Sequence, residues 1–295
     1  MSTRRQIVRS AGGAIATAAA LSAGIPAVAQ EANGTPEASP AASPVVLNID
    51  IASLPLRNAG VLTVHADQPL YEPWFVDNDP TNGKGFESAI TYAIANVLGF
   101  TNEQVEWGYT SFNTSYAPGP KDFDFYITEV SITADRAEVV DFSDPYYQSP
   151  LVLVTKADSP ILTATTIAEL KEYKWGTQVG TTYATYIDEV IQPNDDMLVY
   201  DTNQDSLTAL ENGTVDAVLQ SLQIGIFNTT IQYTDMALGG ILPGSTADLG
   251  LVFEKGSELV PVINEALAAI IASGVHAQLV EEWLPIPPGL QTYAE

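Results

Sequence analysis

The 295-residue chain has no cysteine and only two histidines. The lack of cysteine excludes disulfides, thiolate catalysis, iron-sulfur clusters, thiolate zinc sites and a lipid anchor attached through cysteine. So few histidines make a Ser-His-Asp triad or a histidine-rich metal site improbable, and we expect no metal and no cofactor. The sequence also lacks a P-loop and the G-x-S-x-G, G-x-G-x-x-G and H-E-x-x-H motifs. These absences remove the common catalytic signatures.

Basic residues are scarce as well. The chain has 11 Lys and Arg against 36 Asp and Glu, a formal net charge of -25. Such a charge repels phosphate backbones, so nucleic acid and anionic membranes are not expected as partners. Beyond Arg4, Arg5 and Arg9, the only arginines are Arg57 and Arg136. Each of these two therefore merits individual attention.

The first residues of the chain resemble a targeting signal. Thr3 to Arg9 resembles a twin-arginine export signal, and a mildly apolar stretch then runs to an A-x-A cleavage pattern at Ala27-Val28-Ala29. A membrane anchor over residues 11–29 is the alternative, which Pro26 and several glycines weaken. Residues 1–29 are predicted to be a signal peptide and 30–44, rich in small polar residues and proline, a flexible linker. We expect an exported protein, periplasmic or extracellular, without a lipid anchor.

From residue 45 the pattern alternates between short apolar runs and helical periodicity, which predicts an α/β fold with mostly parallel sheets. Strands are expected at 61–66, 105–109, 123–127, 151–156, 175–179, 197–200, 216–220 and 249–253. Helices are expected at 85–98, 167–172, 184–191, 204–211, 258–272 and 275–283.

Two strand ends favour an anionic ligand. After the strand at 123–127, Thr133 is a plausible N-cap that places Arg136 in the first turn of a helix, where free N–H groups and a guanidinium both suit a carboxylate. A surface arginine paired with Asp135 or Glu138 is the alternative. The second strand end is Val179-Gly-Thr-Thr182, which opens another helix with hydroxyls and a glycine. Two such ends in separate α/β units suggest one cleft between two lobes.

A set of segments in fixed order resembles the type II periplasmic binding proteins of solute-binding protein family 3, the amino-acid receptors of ABC importers. The resemblance spans roughly residues 59 to 285. Its segments are Leu62-Thr-Val-His-Ala-Asp67, Tyr71-Glu-Pro-Trp-Phe75, Gly85-Phe-Glu87, Ser131-Ile-Thr-Ala-Asp-Arg136, Val140-Asp-Phe-Ser-Asp-Pro-Tyr146, Val179-Gly-Thr-Thr182 and Val215-Asp-Ala-Val-Leu-Gln220.

The resemblance implies two α/β lobes joined by two crossover hinge strands near 151–156 and 247–253. Lobe 1 would comprise residues 45–152 and 250–295, and lobe 2 residues 153–249. A ligand that touches both lobes would favour the closed state.

The resemblance also implies roles for particular residues. Arg136 would hold a ligand carboxylate with the help of Ser131 and, from the other lobe, of the hydroxyl pair Thr181 and Thr182. Tyr71 and Trp74 match the aromatic segment that walls the side-chain pocket, and Asp67 starts the loop leading to it. Either aromatic residue fits equally well in the core.

The sequence departs from the family at two positions. The family has an acid that binds the ligand ammonium where this chain has Ser221. Glu129 stands where the family has a small residue, and its carboxylate is expected either to face the cleft and take over the cation-binding role or to face solvent. We favour the cleft because Glu129 follows a strand end.

The predicted function is an extracytoplasmic solute-binding protein, a monomer and not an enzyme, that delivers an amino acid or related small carboxylate to an ABC transporter permease. Two alternatives use the same scaffold: a cyclohexadienyl dehydratase-like enzyme, for which Glu129 is the one candidate acid, and a ligand-sensing module. The acidic surface fits contact with basic permease loops, or solubility alone.

Overall fold

The structure is a computed structural model that describes residues 46–295, so the predicted signal peptide and linker lie outside the described residues. Twelve strands are described. In chain order they are β1 (Leu62–Ala66), β2 (Val105–Tyr109), β3 (Phe125–Tyr126), β4 (Val140–Phe142), β5 (Tyr147–Ser149), β6 (Leu151–Lys156), β7 (Trp175–Gln178), β8 (Leu198–Tyr200), β9 (Ala217–Ser221), β10 (Met236–Ile241), β11 (Ala247–Leu249) and β12 (Val252–Glu254).

Eight α-helices are described among the same residues. They are α1 (Phe86–Val97), α2 (Phe112–Ser115), α3 (Ala134–Val139), α4 (Thr182–Tyr186), α5 (Asn203–Glu211), α6 (Leu222–Phe227), α7 (Val260–Ala272) and α8 (Val275–Trp283). In this part of the chain no single helix is long and apolar enough to cross a membrane, and α7 and α8 meet that criterion only as a pair bent by 77°.

The first sheet has the strand order β2-β1-β3-β12-β4. The strand β1 pairs in parallel with both β2 and β3, so the carboxyl ends of these three strands lie at one edge. Helix α1 covers this sheet together with α7 and α8, and its residues Phe86, Ile90 and Ile94 are fully buried, as the sequence periodicity predicts.

The second sheet has the order β10-β6-β9-β7-β8. Its strand β7 is parallel to β8 and β9, whereas β6 and β10 run antiparallel to their neighbours. The ends of β7, β8 and β9 lead into α4, α5 and α6, so the residues that open these three helices gather at one edge of the sheet.

The chain passes between the sheets through β5 and β11, which pair antiparallel with Tyr147 opposite Leu249. The strand β6 belongs entirely to the second sheet, so the first crossing lies just before the predicted one. The predicted strand 249–253 is interrupted, because the N–H groups of Gly250 and Leu251 donate to the Val130 carbonyl and the Ser143 hydroxyl rather than to one continuous ladder.

The last residues return to the second sheet. Thr292 and Ala294 form bridges with Ile241 and Thr166, and the Tyr293 side chain is buried in the core of that sheet. The prediction that all of residues 250–295 belong to lobe 1 therefore does not hold for residues 292–294. Leu151 and Val152 already pair with β9 of the second sheet, so the predicted boundary at 152/153 lies two residues too late, whereas the boundary at 249/250 stays a prediction.

Two predicted helices are wound differently from a regular α-helix. Residues Ile167–Glu172 form a 3-10 helix, which a capping box between Thr166 and Glu169 begins. The predicted helix 184–191 starts earlier, as α4, and continues as a single π turn over Ile187–Ile191.

Candidate functional site

A cavity lies where the helix-opening edges of the two sheets meet. Seven of the nine residues predicted for the site line it: Asp67, Tyr71, Glu129, Ser131, Arg136, Thr181 and Thr182. Six lining residues were not predicted: Phe112, Thr128, Gln178, Tyr183, Asn203 and Ile224. The strand-end argument accounts for most of both sets, because parallel strands deliver the residues that follow them to one edge.

Arg136 occupies the start of α3. Thr133 is the N-cap of this helix, and its side-chain oxygen accepts a hydrogen bond from the Arg136 N–H at 3.2 Å. The Arg136 side chain is buried, donating from Nη1 to the Ser131 carbonyl at 2.8 Å and from Nη2 to the Gly180 carbonyl at 2.9 Å. Its guanidinium carbon lies 4.3 Å from the ring centroid of Tyr116. The alternative of a surface arginine paired with Asp135 or Glu138 is therefore wrong.

Gly180 brings the second strand end against the first sheet. Its φ of +74° is in the left-handed region, and an added Cβ would lie 2.2 Å from the Asn113 Oδ1 and 2.7 Å from the Tyr116 hydroxyl oxygen. The Tyr116 hydroxyl donates to the Gly180 carbonyl at 2.9 Å. Only glycine fits this contact without displacing its neighbours.

The two threonines after Gly180 have different positions. Thr181 is the N-cap of α4, with its Oγ1 accepting from the Ala184 N–H at 3.4 Å. The Thr182 hydroxyl lies 3.5 Å from the Ser131 hydroxyl, across the gap between the sheets. Hydroxyls from both sheets therefore accompany Arg136 at this end of the cavity.

Of the two aromatic residues predicted to wall the pocket, one lines the cavity and the other lies in the core. Tyr71 lines the cavity, and its hydroxyl accepts a hydrogen bond from the Gln204 N–H of the other sheet at 3.3 Å. Trp74 is only 1% exposed and packs edge-on against Phe86 and Tyr147. The prediction that Trp74 walls the pocket is thus wrong, because a turn in which the Trp74 N–H donates to the Tyr71 carbonyl directs the indole into the core.

The opposite end of the cavity is acidic. Glu129 has a left-handed backbone, with φ of 44°, and its N–H donates to Oε1 of Glu87 at 2.7 Å. Glu87 lies in the first turn of α1 and is fully buried, and its Oε1 also accepts from the Tyr146 hydroxyl. Within the described residues, Oε2 of both glutamates is buried without a hydrogen-bond partner.

Burial raises the pKa of Glu129 well above its ordinary value, and the nearby Glu87 carboxyl raises it further. The Ser221 hydroxyl acts in the opposite direction on the Glu129 pKa, so it lies close to that carboxyl. Ser221 is 4% exposed and does not line the cavity. Tyr183 lines the cavity instead, and the Tyr183 hydroxyl accepts a hydrogen bond from the Ser221 N–H at 3.2 Å. The Glu129 carboxyl thus lies next to the residue that stands in place of the family acid.

Asp67 provides a second acidic group. Its carboxylate accepts one hydrogen bond, from the Phe112 N–H at 3.2 Å, while its own N–H donates to the Thr128 hydroxyl. Burial raises the pKa of Asp67. Arg57, by contrast, lies away from the cavity, where it pairs with Asp122 and donates to the Lys121 carbonyl.

Comparison with known proteins places the chain in context. Residues 62–286 match the model of bacterial extracellular solute-binding proteins, family 3. ABC transporter arginine-binding protein 1 of Escherichia coli (strain K12) is 29% identical over 177 residues, covering 56% of this chain and 68% of that protein. The L-cystine-binding protein TcyJ of the same organism is 27% identical over 220 residues, covering 72% and 79%.

Solved structures agree with this match. An ancestral arginine-binding protein bound to glutamine superposes with a TM-score of 0.66 at 26% identity, over 76% of this chain and 98% of that chain. The ancestral amino-acid-binding protein AncCDT-1, a precursor of cyclohexadienyl dehydratase, superposes with a TM-score of 0.65 at 25% identity, over 77% and 96%. The predicted two-lobe type II fold with two hinge crossings is confirmed.

Proposed function

Because the chain belongs to the bacterial extracellular solute-binding proteins of family 3, we propose that it captures an amino acid in the cavity between its two lobes. One observation carries the proposal: Arg136 and Glu129, of opposite charge and seven residues apart in sequence, line the same cavity. An α-amino acid carries a carboxylate and an ammonium on one carbon, which is the charge pattern that this arrangement complements.

The carboxylate end is built around Arg136. Both of its hydrogen bonds go to neutral carbonyl oxygens, and a ligand carboxylate would form shorter and stronger charge-assisted bonds with the same guanidinium. The hydroxyls of Ser131 and Thr182 add donors from both lobes, whereas Thr181, whose hydroxyl donates to the Gln178 carbonyl at 2.8 Å, caps the helix that begins with Thr182. We assign the ligand carboxylate to Arg136, Ser131 and Thr182.

The ammonium end is built around Glu129. The carboxylate lies beside Ser221, the position that holds the ammonium-binding acid in the family, but it comes from the opposite lobe. Glu129 thereby supplies the negative charge that Ser221 lacks. Tyr71 and Phe112 complete the cavity wall on the side of the first lobe.

Contacts across the gap explain how the ligand would close the cleft. The Tyr116 hydroxyl and the Arg136 guanidinium reach the Gly180 carbonyl, and the Gln204 N–H reaches Tyr71. A ligand bound to Arg136 and Thr182 adds contacts that exist only when the lobes are together, and this difference shifts the population toward the closed form.

Transport is the process that we assign to this capture. The relatives include an ABC transporter arginine-binding protein, and the twin-arginine-like start of the chain supports export of the protein, to act as a monomer that docks a permease. A gene for a permease next to the gene for this chain would support transport over ligand sensing.

Dehydratase activity is the second candidate. It is favoured by the likeness to a precursor of cyclohexadienyl dehydratase and by the raised pKa of Glu129, which suits a proton donor. We propose binding without turnover, since the relatives in the family bind solutes. Conversion of prephenate or arogenate by the purified protein would establish the enzyme instead.

Thermal unfolding with a panel of L-amino acids tests the proposed function. A ligand at 100 times its Kd stabilises the folded protein by about 2.7 kcal/mol, which is a readable shift in Tm. We expect a shift with at least one amino acid and a much smaller one with its decarboxylated or deaminated analogue. If no amino acid shifts the Tm, or if both analogues act like the parent compound, the proposal fails.

A further inference from the structure

Two buried carboxyl groups meet at the acidic end of the cavity, where Glu129 lines the cavity and Glu87 lies behind it, fully buried. Glu87 is held in place by the Glu129 N–H and the Tyr146 hydroxyl, both of which donate to its Oε1. Its Oε2 and the Oε2 of Glu129 are buried and have no hydrogen-bond partner in residues 46–295. The two carboxyl groups are close enough that Glu87 raises the pKa of Glu129.

The groups facing this pair do not neutralise it. Those that interact with it are phenols and hydroxyls, namely Tyr126, Tyr146, Tyr147, Tyr183 and Ser221. His276 lies behind Tyr146, where its Nε2 bonds the Tyr146 carbonyl. Arg136 lies elsewhere in the cavity and uses its hydrogen bonds on two backbone carbonyls. Among the described residues, therefore, no lysine or arginine is paired with either glutamate.

Two carboxyl groups in this setting cannot both be ionised without a cation. Burial raises the pKa of Glu87 and of Glu129, and each negative charge disfavours the other, as in a carboxyl dyad that shares one proton. The pair then has two ways to be neutralised: to keep a proton, or to receive a cation from outside.

Two further features indicate that the pair faces a ligand. Ser221 comes from the other lobe and is over nine-tenths buried, and its hydroxyl lies close enough to the Glu129 carboxyl to lower the pKa of that carboxyl. The Glu129 backbone is left-handed, which is unfavourable for a residue other than glycine. Oε2 of Glu129 is thus left without a hydrogen-bond partner in the described chain at a residue whose backbone is strained.

We propose that Glu87 and Glu129 form a carboxyl pair that holds one proton in the ligand-free protein and exchanges it for the cationic nitrogen of the ligand. On capture, the carboxyl O–H bond breaks and the proton passes to solvent, while the ligand nitrogen stays protonated against the Glu129 carboxylate, with the Glu87 carboxylate behind it. Binding is consequently linked to proton release and weakens as the pH falls. This inference rests on the proposed function and adds Glu87 to its site.

Calorimetric titration in two buffers of different ionisation enthalpy, near neutral pH, measures the protons released. L-glutamine and L-arginine are the two probes, since they share an α-ammonium and only arginine adds a guanidinium. We expect release of about one proton per bound amino acid. Release with both probes assigns the pair to the α-ammonium, whereas release with arginine alone assigns it to the side-chain cation.

The variants Glu129→Gln and Glu87→Gln keep the shape of each side chain, and in Glu87→Gln the new amide oxygen can still accept from Tyr146 and from the N–H of Glu129. Each should lower proton release, because one of the two carboxyl groups is gone, whereas Glu281→Gln, at an exposed position of α8, should leave it unchanged. If both probes bind the natural protein without releasing a proton, the pair is overturned and the proposed function stays intact.

Infrared spectroscopy of the ligand-free protein provides a readout that does not depend on binding. A protonated-carboxyl band should be present near neutral pH, and its titration should change in both glutamine variants but not in Glu281→Gln. If the band is absent from the natural protein, the pair holds no proton and the inference is wrong, whether or not an amino acid binds.

Discussion

The two ends of the cavity differ in how the protein satisfies their charges. At the basic end, the Arg136 guanidinium donates to carbonyls of both lobes and stacks on Tyr116. At the acidic end, Glu129 and Glu87 each keep one buried oxygen without a hydrogen-bond partner in the described chain. The described protein thus binds two nitrogens of the guanidinium, whereas it leaves one oxygen of each glutamate unbonded.

This difference assigns separate tasks to the two ends. Polar groups that are buried without partners destabilise a fold, so an unpaired acidic end costs stability that a cation can restore. Arg136, in contrast, exchanges existing bonds for stronger ones when a carboxylate arrives. We expect the basic end to contribute most to affinity and the acidic end to determine pH dependence and the requirement for an amine.

Removal of the guanidinium should have the largest effect. Arg136→Ala deletes two charge-assisted hydrogen bonds to the ligand, and at about 1.5–3 kcal/mol each its affinity for the amino acid should fall at least about 100-fold. Titration calorimetry measures the loss. Arg57→Ala is the matched control, because Arg57 lies outside the cavity, and it should retain full affinity. Unchanged affinity in Arg136→Ala would remove the carboxylate assignment.

Neutralising the acidic end should reduce the affinity less than removal of the guanidinium does, and a second substitution should restore much of that affinity. Glu129→Gln is expected to weaken an amine-bearing ligand about 10-fold to 100-fold, while binding of the deaminated analogue stays the same. Adding Ser221→Asp to this variant restores the acid at the family's position and should recover much of the affinity. If Glu129→Gln weakens both ligands equally, the role of Glu129 in binding the ammonium is refuted.

A substitution at the contact between the lobes tests closure separately from charge. Gly180→Ala introduces a Cβ that would lie 2.2 Å from Asn113 in the other lobe. The clash exists only when the lobes are together, so affinity should fall about 10-fold through a smaller closed population. Small-angle X-ray scattering with saturating ligand should then show a more open average shape. A closed shape with natural affinity would contradict this role of Gly180.

The smallest expected effect is on the pH dependence of stability. Burial raises the pKa of Glu87 from 4.5 to about 7. Between these values the folded protein holds a proton that the unfolded chain has lost, so the free energy of unfolding falls as the pH rises. Glu129→Gln removes a second carboxyl whose pKa is raised by burial, and it should flatten the profile in this window by about 1 kcal/mol per pH unit or less. Denaturant titrations at pH 5 and pH 7.5 measure the difference, and equal slopes in both proteins would count against the raised pKa.

Strand-end reasoning predicts much of the basic end. Thr133, Arg136 and the Gly180-Thr-Thr182 turn follow apolar runs, and the cap and the glycine both have local signatures. The alternation of strands and helices likewise predicts an α/β fold, and the two strand ends suggest one cleft between two lobes. These features depend on short stretches of chain, which is why the sequence is sufficient to predict them.

The acidic end depends on packing between distant segments. In the sequence, Glu87 looks like an ordinary acid in the first turn of a helix, where the dipole favours it. Only the tertiary fold shows that it is buried against Tyr146 and Glu129. The choice between Tyr71 and Trp74 is likewise made by a turn whose direction no local pattern specifies.

A co-crystal structure with the L-amino acid that gives the largest thermal shift is the most direct test of capture between Arg136 and Glu129. We predict that the ligand carboxylate lies within hydrogen-bonding distance of the Arg136 guanidinium and that its amine contacts the Glu129 carboxylate next to Ser221. A ligand whose carboxylate lies away from Arg136, or whose amine is bound without Glu129, would contradict the account.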